Sequence, residues 1–116
     1  MARVKFIEEL KALGFEVQEP DTLKIVIEYV IPVGSNIDKT IQLGFEVQED
    51  YPMNCPPGPH FRSVGVDGWV EPPNNIHGSP FGNDWRYWSR PFPDWNRTDK
   101  TVKTYFAHIK NLLAQL

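Results

Sequence analysis

Phe6, Ile7, Leu10 and Leu13 recur at the i, i+1, i+4, i+7 spacing of one helical face, and Gly14 stands where such a helix stops. The spacing predicts a helix over residues 2–13. Over residues 22–31 the period shortens to two. Leu23, Ile25, Ile27, Tyr29 and Ile31 alternate with Lys24, Val26, Glu28 and Val30. A second alternation sets Ile41, Leu43, Phe45 and Val47 against Gln42, Gly44, Glu46 and Gln48. Both stretches predict strands with one richer face, 23–31 and 41–48, joined through a turn at 32–36. Residues 15–19 predict a shorter strand that stops at Pro20. Near the end, Val102, Tyr105, Phe106, Ile109, Leu112, Leu113 and Leu116 restore the helical period. A helix over about 99–114 follows, with Thr98 as N-cap and Asp99 well placed for the helix dipole.

Between these patterned ends, residues 50–98 hold nine of the eleven prolines, five of the eight glycines and all four tryptophans. That composition resists helix and central strand alike, so the segment reads as irregular, with one short strand at 61–66. Such a loop is held by its own side chains, and the tryptophans are the expected pegs. The hexapeptide GFEVQE occurs at 14–19 and again at 44–49. The residues after each copy do not repeat, and a repeat fold needs three or more copies, so two similar strand starts explain it. Each helix has one apolar stripe and each long strand one richer face. The expected fold class is therefore α+β: an N-terminal helix, an antiparallel meander of about four strands and a C-terminal helix, both helices on the same side of the sheet.

The chain has 116 residues, room for one domain spanning 1–116. The net charge of −3 is unevenly spread: residues 14–50 hold eight acids against two bases, and residues 85–116 six bases against two acids. That small basic excess beside an acidic whole does not make a nucleic-acid footprint, and no nucleic-acid or membrane partner is expected. Glu8 and Glu9 interrupt the apolar N-terminal stretch, unlike a signal-peptide core, so the expected location is cytoplasmic. A lone cysteine, Cys55, excludes an internal disulfide.

Two patches carry a family resemblance. Tyr51-Pro52-Met53-Asn54-Cys55-Pro56 follows the strand ending near Gln48 and resembles the YPxxxP signature of UBC and RWD domains. Trp85-Arg86-Tyr87-Trp88-Ser89-Arg90, then Trp95-Asn96-Arg97 and the C-terminal helical stripe, resembles the ending of the bacterial E2-like proteins called family E. The resemblance covers about residues 44–113. It implies a UBC-like fold in which Tyr51 caps the core while Pro52 and Pro56 stiffen the strand exit. It also implies a ubiquitin-like conjugation pathway with a ubiquitin-like protein and an E1-like activator as partners. An active E2 carries a thiol shortly after a His-Pro-Asn segment. Here the nearest counterpart is His77-Gly78-Ser79, and residues 80–98 contain no cysteine.

Cys55 with His60 five residues on is formally a Cys/His pair for nucleophilic catalysis, although a free cysteine in such a spacer also serves as a small buried hydrophobe. Cys55, His60 and His77 lack a metal-ligand spacing, so no metal and no cofactor are expected. Trp85, Arg86, Trp88, Arg90 and Trp95 are candidates for a binding surface, with local core as the competing role for the indoles. The expected function is an E2-like protein that lacks thioester chemistry and acts by binding a ubiquitin-like protein, an E1-like partner or a substrate. The alternatives are a conjugating enzyme that uses Cys55 and a peptide-binding adaptor unrelated to ubiquitin-like modification.

Overall fold

A computed structural model describes residues 2–116. Helix α1 (Ala2–Ala12) is followed by strands β1 (Ile25–Val30), β2 (Thr40–Phe45), β3 (His60–Arg62), β4 (Ile76–Ser79) and β5 (Gly82–Trp88), then by helix α2 (Val102–Ala114). The strands form one antiparallel sheet in the order β1-β2-β3-β5-β4. The alternating residues Ile25, Ile27, Tyr29, Ile41, Leu43, Phe45 and Phe61 share one core with Phe6 and Leu10 of α1 and with Tyr105, Phe106 and Ile109 of α2. Phe45 sits between the helices, its ring centroid 5.3 Å from Phe6 and 5.7 Å from Phe106. Both apolar stripes thus meet the same sheet face, which is what one-sided helices require. Among the described residues, no helix is long and apolar enough to cross a membrane.

Several expected boundaries move, each for a local reason. Residues 15–19 form one bridge, Gln18 to Val26, rather than a strand. Phe15 turns inward onto Tyr29 and Phe106 and draws the chain off the sheet edge. Leu13 lies past the end of α1 and is exposed. β2 stops at Phe45, three residues before Gln48 accepts the turn hydrogen bond from Tyr51. β3 is only three residues long because the chain bends after Arg62 through Gly65 and Gly68, both at positive φ. The cap of α2 is Thr101, whose hydroxyl accepts from the Thr104 amide, while Thr98 binds the Trp95 carbonyl and the Lys100 amide.

The largest correction concerns residues 50–98, which contain the hairpin β4–β5 besides β3. In β5, Trp85 and Tyr87 point to one face and Arg86 and Trp88 to the other, so apolar residues occupy both sides and the period of two is masked. Tyr and Trp nevertheless favour a pleated, half-buried surface. The hairpin extends the sheet beyond β3, and its turn folds over the outer face. Phe81, in its turn, lies over Gly44 so closely that a Cβ there would come within 2.6 Å of the ring. The two edges differ: the Gln18 bridge touches β1, while β4 is four residues long with a bulge between Gly78 and Ser79.

Long loops are pinned by side chains. Asn36, fully buried, donates to the Val70 carbonyl and accepts from the Val70 amide, both at 2.8 Å, so one side chain imitates a strand pair. Trp88 and Trp95 are 4% and 3% exposed, whereas Trp85 is half-buried on the outer face against Phe81. Truncating Trp88 to Ala is expected to cost about 3–5 kcal/mol, lowering the urea midpoint by more than ~1 M. Its indole N–H is buried with no hydrogen-bond partner among the described residues. Trp88→Phe, which keeps most of the ring and removes that donor, is expected to cost far less than Trp88→Ala in the same titration.

Candidate functional site

After β2 the chain turns through residues 51–57 and is fastened from beneath. Tyr51 is buried and its hydroxyl donates to Glu9 at 2.8 Å. Trp95 Nε1 donates to the Pro52 carbonyl at 3.0 Å, and the Tyr105 hydroxyl to the Pro57 carbonyl at 2.8 Å. Gly58 passes against the backbone of Trp88, where a Cβ would fall 2.1 Å from the carbonyl oxygen. The stiff Pro56–Pro57 stretch therefore becomes one wall of a cleft of about 450 Å³, lined on that side by Cys55 and on the other by Tyr87, Ser89, Arg90 and Phe92. Behind Phe92, the ring of His108 stacks on it at 4.3 Å. Burial pushes the His108 imidazole below its usual value.

Within this cleft Cys55 is half-buried, and burial pushes its thiol up to about 12. The nucleophilic form of cysteine is the thiolate, so at neutral pH this group behaves as a small hydrophobe with a weak donor. Arg90, across from it, forms no ion pair among the described residues. Arg90 lines the cleft together with Ser89 and Phe92, and a guanidinium offers planar, charge-assisted donors to a carboxylate. Arg86 is exposed and turns back on its own hairpin, donating to the carbonyls of Asn83 and Trp85.

His60 is not a partner of Cys55. It points to the outer face of the sheet, 3% exposed, with its ring between Phe81 at 4.6 Å and Tyr87 at 4.8 Å. Its Nδ1 lies 2.8 Å from Ser79 Oγ and its Nε2 3.4 Å from Glu46 Oε1. Neither Ser79 nor Glu46 stood out in the sequence. Glu46 follows a strand whose outer face could be read from alternation, but Ser79 becomes visible only once the hairpin is paired. Burial lowers the His60 pKa to about 4, so the ring is neutral at pH 7. His77 is exposed on β4, its ring beside Tyr87 and apart from Cys55. Among the described residues, no group of three His, Cys, Asp or Glu side chains is placed to hold a metal ion.

Two measurements check this arrangement. Between pH 6.5 and about 4 the unfolded chain binds a proton at His60 that the folded chain refuses. Stability should therefore fall as pH drops through that window, by up to about 3 kcal/mol. His108, shifted the same way, adds to the slope. Urea titrations at pH 7 and 4.5 should show that His60→Gln flattens the dependence. For Cys55, iodoacetamide alkylation of the folded chain at pH 8 is expected to run at least ~100-fold slower than in urea, because a thiol titrating near 12 is almost wholly protonated there.

No family model matches this chain, and neither the curated proteins nor the solved structures contain a match to it.

Proposed function

We propose that this chain is a UBC-type, E2-like protein of a bacterial ubiquitin-like conjugation pathway. It acts by binding a ubiquitin-like protein, an E1-like activator or a substrate and does not itself carry a thioester. The order of helix, antiparallel meander, Tyr51–Pro56 exit, Trp95 and C-terminal helix supports the family reading. The observation that carries the functional part is the cleft. Its only thiol, Cys55, is held protonated by burial in one wall, while the facing wall presents an arginine without an acidic partner among the described residues. Such a groove suits recognition of an extended, carboxylate-bearing segment better than thiol transfer.

The test uses the full chain with a matched E1-like activator, ubiquitin-like protein and ATP. No reductant-sensitive adduct is expected, and Arg90→Glu is expected to weaken binding of the partner at least ~10-fold in titration calorimetry. An adduct abolished by Cys55→Ser would replace this reading with that of an active conjugating enzyme. Binding that is indifferent to Arg90→Glu would remove the cleft from the interface.

A further inference from the structure

On the outer face of the sheet, beyond Tyr87 of the cleft wall, three side chains stand in the order acid, imidazole, hydroxyl. We propose that Ser79 is a nucleophile for acyl transfer, with His60 as its general base and Glu46 positioning the imidazole, and that its substrates are ester or thioester carbonyls presented at the β4–β5 turn.

The distances set the roles. Glu46 Oε1 lies 3.4 Å from Nε2, close enough for its charge to favour the tautomer that carries the proton on Nε2 and leaves the Nδ1 lone pair free, and Nδ1 is 2.8 Å from Ser79 Oγ. The same hydroxyl oxygen accepts the backbone N–H of Phe81 at 3.1 Å. That contact occupies one Oγ lone pair and helps aim the hydroxyl hydrogen at Nδ1. The ring cannot swing away: Phe81 and Tyr87 hold it from two sides, and Gly44 gives Phe81 the space to lie there. Ser79 itself is half-buried, in contact with solvent at the end of β4. Burial keeps the imidazole unprotonated at pH 7, the form a base requires, and also makes it a weaker base than a free histidine. A serine that serves only to close a turn needs the Phe81 contact alone; it needs neither a buried imidazole nor a carboxylate behind that imidazole.

In the reaction, Oγ bonds to the acyl carbon while His60 Nδ1 takes the hydroxyl proton. The carbonyl bond to the leaving alcohol or thiol then breaks, and Nδ1 returns the proton to that group. The product is an acyl-Ser79 ester, which water hydrolyses by the same route, His60 taking a proton from the water and giving it back to Oγ. No oxidant, reductant or metal is consumed.

The experiment treats the full chain with a fluorophosphonate, which loses fluoride to a base-activated serine, and maps the product by peptide mass spectrometry. Ser79 is expected to react more than ~100-fold faster than Ser35, Ser63 or Ser89 in the same molecule. His60→Gln should remove most of that advantage. Glu46→Gln, at a partly exposed position, should slow Ser79 by a smaller factor while leaving the urea midpoint in place. p-Nitrophenyl acetate should give a burst of one acetyl per chain on Ser79, absent in Ser79→Ala. Reaction of Ser79 at the rate of the other three serines would overturn the proposal. So would a Ser79 rate unmoved by both Glu46→Gln and His60→Gln, since the neighbouring groups would then do no chemistry.

Discussion

One carboxylate ties the helical layer to the loop that carries the cleft. Glu9, near the end of α1, accepts from the Tyr51 hydroxyl at 2.8 Å and from the Val102 amide at 3.1 Å, with Lys5 Nζ 3.7 Å away on the same helix. Val102 is the first residue of α2, so a negative group sits at the positive end of that helix and satisfies a donor that has no partner within it. Tyr51, buried beneath the cleft wall, can be apolar on its ring and polar at its tip only because Glu9 is there. Burial and the adjacent carboxylate both push its phenol up, which keeps it a donor at every ordinary pH. Three segments distant in sequence are thus set by one side chain, and the Pro56–Pro57 wall inherits its place from them.

The two faces of the sheet work under different rules. The helical face is a dry aromatic and aliphatic core in which shape decides. The outer face is covered only by the turn of the β4–β5 hairpin, and its small cluster mixes Phe81, Trp85 and Tyr87 with a buried imidazole and two polar neighbours. A buried neutral histidine needs a polar environment, and this cluster supplies a hydrogen bond from Nδ1 to Ser79 at the end of β4 and the Glu46 carboxylate 3.4 Å from Nε2. The cleft and the imidazole cluster therefore meet at Tyr87, which lines the first and stacks on the second.

The parts legible in the sequence are those where one periodicity is unmixed. The apolar stripes of α1 and α2 and the alternation of β1 and β2 each face a single environment, so pattern and burial agree. The hairpin was hidden because β5 has apolar residues on both sides and β4 is half glycine and serine. Cys55 was legible as a spacer residue, since its surroundings are prolines. His60 was legible only as a histidine: its neighbours in space come from residues 46 and 79, and nothing local at positions 59–62 announces them. Trp85, Trp88 and Trp95 read alike in sequence yet part company in space, because Trp85 takes the outer face while the other two join the core.

The short outer strand β4 also bears on how copies of this chain avoid one another. An open sheet edge offers a row of unpaired amides and carbonyls to any extended segment, including the same edge of a second molecule. Here that row is four residues long, ends at a bulge, and is followed at once by Pro80, which has no amide hydrogen to offer. At the opposite edge Gln18 already occupies both backbone positions of Val26. The sheet is thereby kept from growing sideways into a filament by brevity, a kink and a proline, with little need for the edge lysines that serve this purpose in longer sheets.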